Sequence, residues 1–325
     1  MNASFVNKTL QDSTSFHSAV HEGFLYQYNS NKVYREWCGA LGFDFHNGVT
    51  LQKIPFLPIS FFKTSKVICE DADFELVFES SGTTGCSKSR HYVKDLSLYI
   101  DSFIKCFGLF YGDVTGWCII GLLPSYLEQT NSSLVKMVNV LIRRSGNELS
   151  GFYLNDFRRL NETLRALESI GQKTLLIGVT YALLDIAEQF PMQLSSTIVM
   201  ETGGMKGRRK EMTREEVHKI LKKQFCIEAV HSEYGMTELL SQAYSKGDGR
   251  FYCPPWMKVF VRDEEDPMLV KDQGRGALNI IDLANIYSCA FIATDDIGEV
   301  FDDGSFAVYG RIDNSDIRGC SLMVL

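Results

Sequence analysis

The chain has 325 residues, 45% of them hydrophobic and 22% charged, which excludes a disordered polypeptide and supplies enough apolar material for a sizeable core. Lys and Arg number 33 against 40 Asp and Glu, a net charge of −7 that argues against nucleic acid as the principal partner. No run approaches the roughly 18 uninterrupted apolar residues of a membrane span, and the first ten residues lack a secretory-type apolar segment.

Nine cysteines (Cys38, Cys69, Cys86, Cys106, Cys118, Cys226, Cys253, Cys289 and Cys320) are odd in number, scattered and free of any C-x-x-C pair. Neither a disulfide framework nor a structural zinc site follows from that spacing, and a reducing cytoplasm is the expected compartment. Repeats, low-complexity tracts and Pro- or Ser-rich linkers are absent, so no sharp domain boundary shows.

In chain order, the first fifty residues read as helices and loops rich in aromatics. "IPFLPISFFK" at 54–63 places two prolines among apolar residues, which predicts an extended, packed segment rather than a helix. "FELVFES" at 74–80 predicts a strand, and "SRHYV" at 89–93 predicts extended backbone. Leu96, Tyr99, Ile100, Phe103, Ile104 and Phe107 follow a helical period, with Asp95 as its N-cap.

"TLLIG" at 174–178 predicts a buried strand, "YALLDIAEQF" a helix stopped by Pro191, and "STIVME" at 196–201 a second strand. Thr213 and Glu216 form a capping box for a helix with Val217, Ile220 and Leu221 on its apolar stripe. "CIEAVH" at 226–231 reads as a third strand. The β-α-β-α-β order predicts a parallel sheet with crossover helices, hence an α/β fold. Two glycine-containing turns, "ETGGMKG" at 201–207 and "SEYGMTE" at 232–238, leave the second and third strands, where open α/β sheets bind ligands. From about Phe251 the texture changes to short strands, and "GEVFDDGSFAVYG" at 298–310 predicts a hairpin turning at Asp303-Gly304.

Between the strand at 74–80 and the segment at 89–93 lies "SSGTTGCSK". A Walker loop would use Gly82, Lys88 and Ser89, but Ser87 stands where its second glycine belongs. A strand also follows where that loop needs a helix N-terminus. The stretch is instead similar to the phosphate loop of the adenylate-forming superfamily (acyl-CoA synthetases, luciferases and adenylation domains), usually S-S/G-G-T-T/S-G-x-P-K, with Ser87 replacing the proline. Hydroxyls and amides in such a loop can wrap the β- and γ-phosphates while a lysine adds a point charge.

Three further elements resemble the same superfamily in the same order. "YGMTE" at 234–238 resembles Y-G-x-T-E, "TDDIG" at 294–298 resembles T-G-D-L-G with Asp295 for glycine, and "GRID" at 310–313 resembles G-R-x-D. The resemblance implies an ATP-binding set of Ser80, Ser81, Gly82, Thr83, Thr84, Gly85 and Lys88, then Gly203, Gly204, Tyr234, Gly235, Met236, Thr237, Asp296 and Arg311. In it Tyr234 stacks on adenine, Thr237 touches the α-phosphate, Glu238 holds Mg²⁺, Asp296 meets the ribose hydroxyls and Arg311 the ribose and phosphate. Asp313 is the hinge. Taken singly, Asp296 and Arg311 read as residues near turns, Lys88 as a solvated lysine and Glu238 as a helix-start charge. His231 reads as local structure.

The matches span residues 75–320. They imply one adenylate-forming core over 1–325, with a helical and extended part at 1–73, an α/β ATP-binding part at 74–250 and a short β-rich part at 251–325. The usual C-terminal lid and its lysine are expected to be absent. Within the superfamily, "IPFLPISFFK", "ETGGMKGRRKEM", "EYGMTELLSQAY" and "GRIDNSDIRGC" resemble the LuxE-type acyl-protein synthetases. Those enzymes activate a fatty acid as acyl-AMP and pass it to a cysteine for reduction by a partner. ATP and Mg²⁺ are then the cofactors, Lys88, Thr237, Glu238 and Arg311 the catalytic set, and Cys320 the expected acyl acceptor, against the alternative of a buried thiol. The partners are a fatty acid and CoA, an acyl-carrier protein or an acyl reductase. A phenylacetate-type CoA ligase, a non-catalytic adenylate-binding module and a Walker NTPase are the rivals.

Overall fold

A computed structural model describes residues 16–43, 50–69, 73–80, 88–124, 130–154, 156–203 and 212–312. Helices α1 (Phe16–Ser30) and α2 (Lys32–Ala40) open them, and Asn31 caps α2 by accepting the Tyr34 N–H at 3.0 Å. The 54–63 segment is extended only in its first half. There it forms β1 (Leu57–Pro58), and then Phe61–Thr64 closes one helical turn, α3, beyond the reach of the prolines.

Strands β2 (Leu76–Glu79) and β3 (Arg90–Val93) pair antiparallel, Glu79 opposite Arg90, so the "SSGTTGCSK" stretch joins two strands. Asp95 caps α4 (Leu96–Tyr111), its Oδ1 accepting from Ser97 N–H at 2.9 Å. Next come β4 (Cys118–Leu122), α5 (Ser133–Ser145), β5 (Gly151–Phe152), α6 (Phe157–Ser169), β6 (Thr174–Val179) and α7 (Thr180–Gln189). They lead to β7 (Thr197–Thr202), α8 (Arg214–Phe225), β8 (His231–Tyr234) and β9 (Ala243–Ser245).

These strands build a sheet of order β5-β4-β6-β7-β8-β9, parallel throughout except for antiparallel β9. Every residue of β4 and β6 is buried, as a sheet covered on both faces requires. The α/β architecture matches the expectation. One strand is displaced, however. Cys226 is not in a strand but caps α8 in the left-handed region at φ 51°, and pairing resumes only at His231. The capping box at Thr213 and Glu216 starts α8 where expected.

The rest forms a second sheet from β10 (Met257–Arg262), β11 (Val270–Lys271), β12 (Gly274–Asp282), β13 (Phe291–Val300) and β14 (Phe306–Arg311). Its order is β1-β13-β12-β10-β11, with β14 also on β13. Strand β1 runs parallel to β13, Leu57 opposite Ile292, so the early chain completes the late sheet. Buried amides fasten the same ends together. Gln27 Nε2 donates to the carbonyls of Asn285 and Ile286 (2.9 and 3.0 Å), and Gln27 Oε1 accepts from Ala290 N–H (3.0 Å). A buried amide that meets all these partners fixes the docking of α1 more narrowly than apolar contact alone.

Candidate active site

The β2–β3 hairpin and the C-terminal ends of β7 and β8 face each other across a cavity of about 480 Å³. Glu79, Ser80 and Lys88 line it from the hairpin, and Lys88 Nζ lies 3.7 Å from Glu79 across the loop's base. Gly203, Gly235, Met236 and Thr237 line the opposite wall. Gly203 ends β7 at φ 70°, a left-handed turn for which glycine needs no strain energy. Ser81, Gly82, Thr83, Thr84, Gly85 and Gly204 lie outside the described residues, as do Asp313 and Cys320.

A second cleft, of about 1180 Å³, opens on the other side of the same two turns. Tyr234, Asp296 and Arg311 line it with Gly203 and Gly235. Asp296 and Arg311 lie in paired strands. They face each other in the β13–β14 ladder, because the hairpin turn lies farther out at Asp303-Gly304. Arg311 Nε donates to Asp296 Oδ1 at 2.9 Å, and the Tyr234 hydroxyl donates to Oδ2 at 2.7 Å. The carboxylate has further lone pairs for a sugar hydroxyl. Tyr234 packs edge-on against Phe306 at 5.2 Å, which seats its ring between the two sheets.

Glu238 is buried behind Thr237, hydrogen bonded to Ser89 at the root of β3. Burial raises its pKa above the ordinary value, against the pull of Ser89 and the charges of Arg311 and Lys63. Among the described residues no group of three His, Cys, Asp or Glu could hold a metal. Glu238 is in the lining of neither cleft; as a lone carboxylate it would suit Mg²⁺ only with substrate phosphates and water completing the shell.

Several participants carry no sequence signature. His91 of β3 is fully buried, and burial lowers its pKa to about 4, so the neutral ring donates Nδ1–H to the Thr237 carbonyl at 2.8 Å. That bond ties the phosphate hairpin to the Y-G-M-T-E turn. Tyr99 of α4 packs edge-on against Phe78 at 5.1 Å and donates its hydroxyl to Ser133 O at 2.8 Å. Glu201 and Glu233 end β7 and β8. Burial alone would raise Glu201, but His218, Arg214 and the Ser232 hydroxyl together bring it below its ordinary value. Glu233 Oε2 accepts from the Thr202 hydroxyl at 2.5 Å, and burial pushes its pKa up to about 7. Acidic residues closing two buried parallel strands, each just before a glycine turn, were the available signal. His231 has its Nδ1 3.1 Å from the Tyr111 hydroxyl.

The fold has solved counterparts. The chain aligns with an open conformation of 2-hydroxyisobutyryl-CoA ligase, solved with 2-HIB-AMP and CoA, at TM-score 0.66 and 12% identity, over 91% of this chain and 74% of that one. With ATP-bound MatB from Rhodopseudomonas palustris the TM-score is 0.54 at 17% identity, over 72% of this chain and 47% of that one, about half its length. At these identities the likeness establishes the fold and no more.

Curated relatives include the long-chain-fatty-acid–luciferin-component ligases of Aliivibrio fischeri and Vibrio harveyi. The first is 25% identical over 93% of this chain and 86% of its own length, the second 22% identical over 97% and 88%. A family profile described as "Acyl-protein synthetase, LuxE" matches residues 5–325. With that match over nearly the whole chain, on a fold that ties the β2–β3 hairpin to the Y-G-M-T-E turn, the protein belongs to the LuxE acyl-protein synthetase family.

Proposed function

We propose that this protein uses ATP to activate a carboxylic acid, of the fatty class for which its relatives are named, and passes the acyl group to a thiol. One observation carries the reading. The cleft holding Lys88 and Thr237 and the cleft holding Tyr234, Asp296 and Arg311 share Gly203, Glu233 and Gly235, so a nucleotide lying across those turns would put its α-phosphate at their junction.

The carboxylate oxygen attacks the α-phosphorus, a P–O bond forms, and pyrophosphate leaves with the electron pair of the bond that breaks. No general base is needed, since a free carboxylic acid is already ionised at neutral pH. The work of the site is to hold two anions together. Lys88 and Arg311 would supply charge, and Thr237, fixed through its carbonyl by His91, would bind the α-phosphate. Mg²⁺ held by Glu238 would neutralise phosphate charge. In the second step a thiolate attacks the acyl carbon and AMP leaves.

Cys320 is our proposed first acceptor, with CoA, a carrier protein or an acyl reductase receiving the group afterwards. Five of the seven described cysteines suit the role less well, since Cys38, Cys69, Cys106, Cys118 and Cys289 are buried. Burial raises the thiols of Cys38, Cys106, Cys118 and Cys289, which starves them of the reactive thiolate. Among the described residues no helix is long and apolar enough to cross a membrane, in keeping with a cytoplasmic enzyme.

Acid-dependent ATP–pyrophosphate exchange tests the first step. Lys88→Ala and Glu238→Ala should each lower it about 10²- to 10³-fold in folded protein. A labelled acid should leave a hydroxylamine-sensitive thioester that Cys320→Ser abolishes without loss of acyl-AMP. ATP binding with no exchange on any acid would establish a non-catalytic module instead.

A further inference from the structure

We propose that Asp282 and Asn285, in the connection between β12 and β13, are positioning residues that clamp the Y-G-M-T-E turn, and that Gln27 of α1 holds the clamp in place. The proposal rests on the acyl-activation reading and adds to it residues that no motif marks.

The side chains of the clamp are wholly buried. Thr237 lines the cavity beside the β2–β3 hairpin, and His91 holds its carbonyl from β3. The next carbonyl, that of Glu238, accepts from Asn285 Nδ2 at 2.8 Å. Peptide units are planar, so two held carbonyls in succession fix both planes that flank Glu238, and with them its two backbone dihedrals. The amides that follow are held as well. Leu240 N–H and Ser241 N–H donate to Asp282 Oδ2 at 2.9 and 3.0 Å, and the Ser241 hydroxyl donates to Oδ1 at 2.6 Å. Asp282 Oδ1 also accepts from Ala284 N–H at 3.1 Å, which caps the short helical turn Leu283–Asn285 that carries Asn285.

Asp282 ends β12, in the sheet that carries Asp296 and Arg311, whereas the Y-G-M-T-E turn leaves the other sheet. The clamp therefore joins the two walls of the site. Behind it stands α1, from the part of the chain that holds no motif. Gln27 bonds the carbonyls of Asn285 and Ile286 and the amide of Ala290, and a Cβ on Gly23 would lie 3.3 Å from Ile286 Cδ1. A buried backbone group that loses its side-chain partner has no water to replace it, so the turn would shift toward other partners. Misplacement of a catalytic group by about 1 Å can cost on the order of 10²-fold in rate.

Exchange kinetics and nucleotide binding of the full chain test the clamp. Asn285→Leu keeps the size of the side chain and removes the donor. It should lower kcat for exchange about tenfold and weaken binding of α,β-methylene-ATP, which cannot react, about threefold or more. KM for the acid should stay within about twofold, because Asn285 lines neither cleft. Gln27→Leu should lower kcat and nucleotide affinity in the same direction, about threefold. Glu168→Ala is the control for lost stability alone. Glu168 bonds Ser195, Ser196 and Thr197 at the end of β7 opposite Gly203, so this variant should unfold in less urea yet keep wild-type kcat and affinity. Folded Asn285→Leu protein with wild-type kcat and affinity would overturn the proposal. So would a Glu168→Ala protein as impaired as Gln27→Leu, since general loosening would then suffice. Should Asn285→Leu not fold, Gln27→Leu against Glu168→Ala decides by the same criterion. Wild-type protein that exchanges with no acid would overturn acyl activation, while the affinity comparison still decides the clamp. Wild-type protein that binds no nucleotide would overturn both.

Discussion

Replacing Glu233 with glutamine should change how the protein's stability depends on pH. In the fold this carboxyl is buried, with the Thr202 hydroxyl as its donor among the described residues and the charge of Glu201 nearby, and burial raises it from an ordinary 4.5 to about 7. The folded state therefore holds a proton that the unfolded chain has already released between pH 4.5 and 7. Stability linked to Glu233 is complete below pH 4.5 and is lost as pH rises through 7. At about 1.36 kcal/mol per pH unit, the loss over that interval is on the order of 3 kcal/mol. Glutamine keeps the shape and the acceptor for Thr202 but cannot ionise, so it removes the dependence. Urea unfolding of both proteins at pH 4.5 and pH 8, without nucleotide or acid, reads this directly. The variant should gain about 3 kcal/mol on the wild type between the two pH values, since other titrating groups cancel in the difference. Parallel stability curves would refute the reasoning, because they would mean that Glu233 is solvated or already paired.

Two further outcomes concern neighbouring residues. His91→Leu removes the donor to the Thr237 carbonyl and should lower kcat for exchange about tenfold. His91→Asn, which can still donate, should recover part of that rate, and equal rates in both variants would detach His91 from Thr237. Because burial holds His91 at about 4, its contribution to wild-type stability should fall as pH drops from 6.5 through 4, and His91→Leu should lack that fall. Gly235→Ala sets a Cβ 2.5 Å from Glu233 Oε1, so the carboxyl must move. KM for the acid should rise about tenfold in exchange assays, and an unchanged KM would show that this oxygen is not in the acid's path.

Much of this protein is written locally in its sequence. The Asp95 and Thr213 caps, the helical stripe from Leu96, the apolar runs that become β6 and β7, and the Asp303-Gly304 turn all depend on neighbours within a few positions. They can be read without the fold for that reason. The motif residues could be placed by order along the chain. Their partners could not, because these arise between strands far apart in sequence. Asp296 meets Tyr234 across 62 positions, and His91 meets Thr237 across 146. Asp296 and Arg311 could be placed near turns and by motif order, but only the β13–β14 register sets them opposite each other. Glu233 is an ordinary acidic residue in a linear chain. It becomes a strongly perturbed group in the cavity only when β7 brings Thr202 beside it and the fold buries it near Glu201. Burial and electrostatic partnership are properties of three-dimensional neighbours, and the tertiary structure alone supplies those.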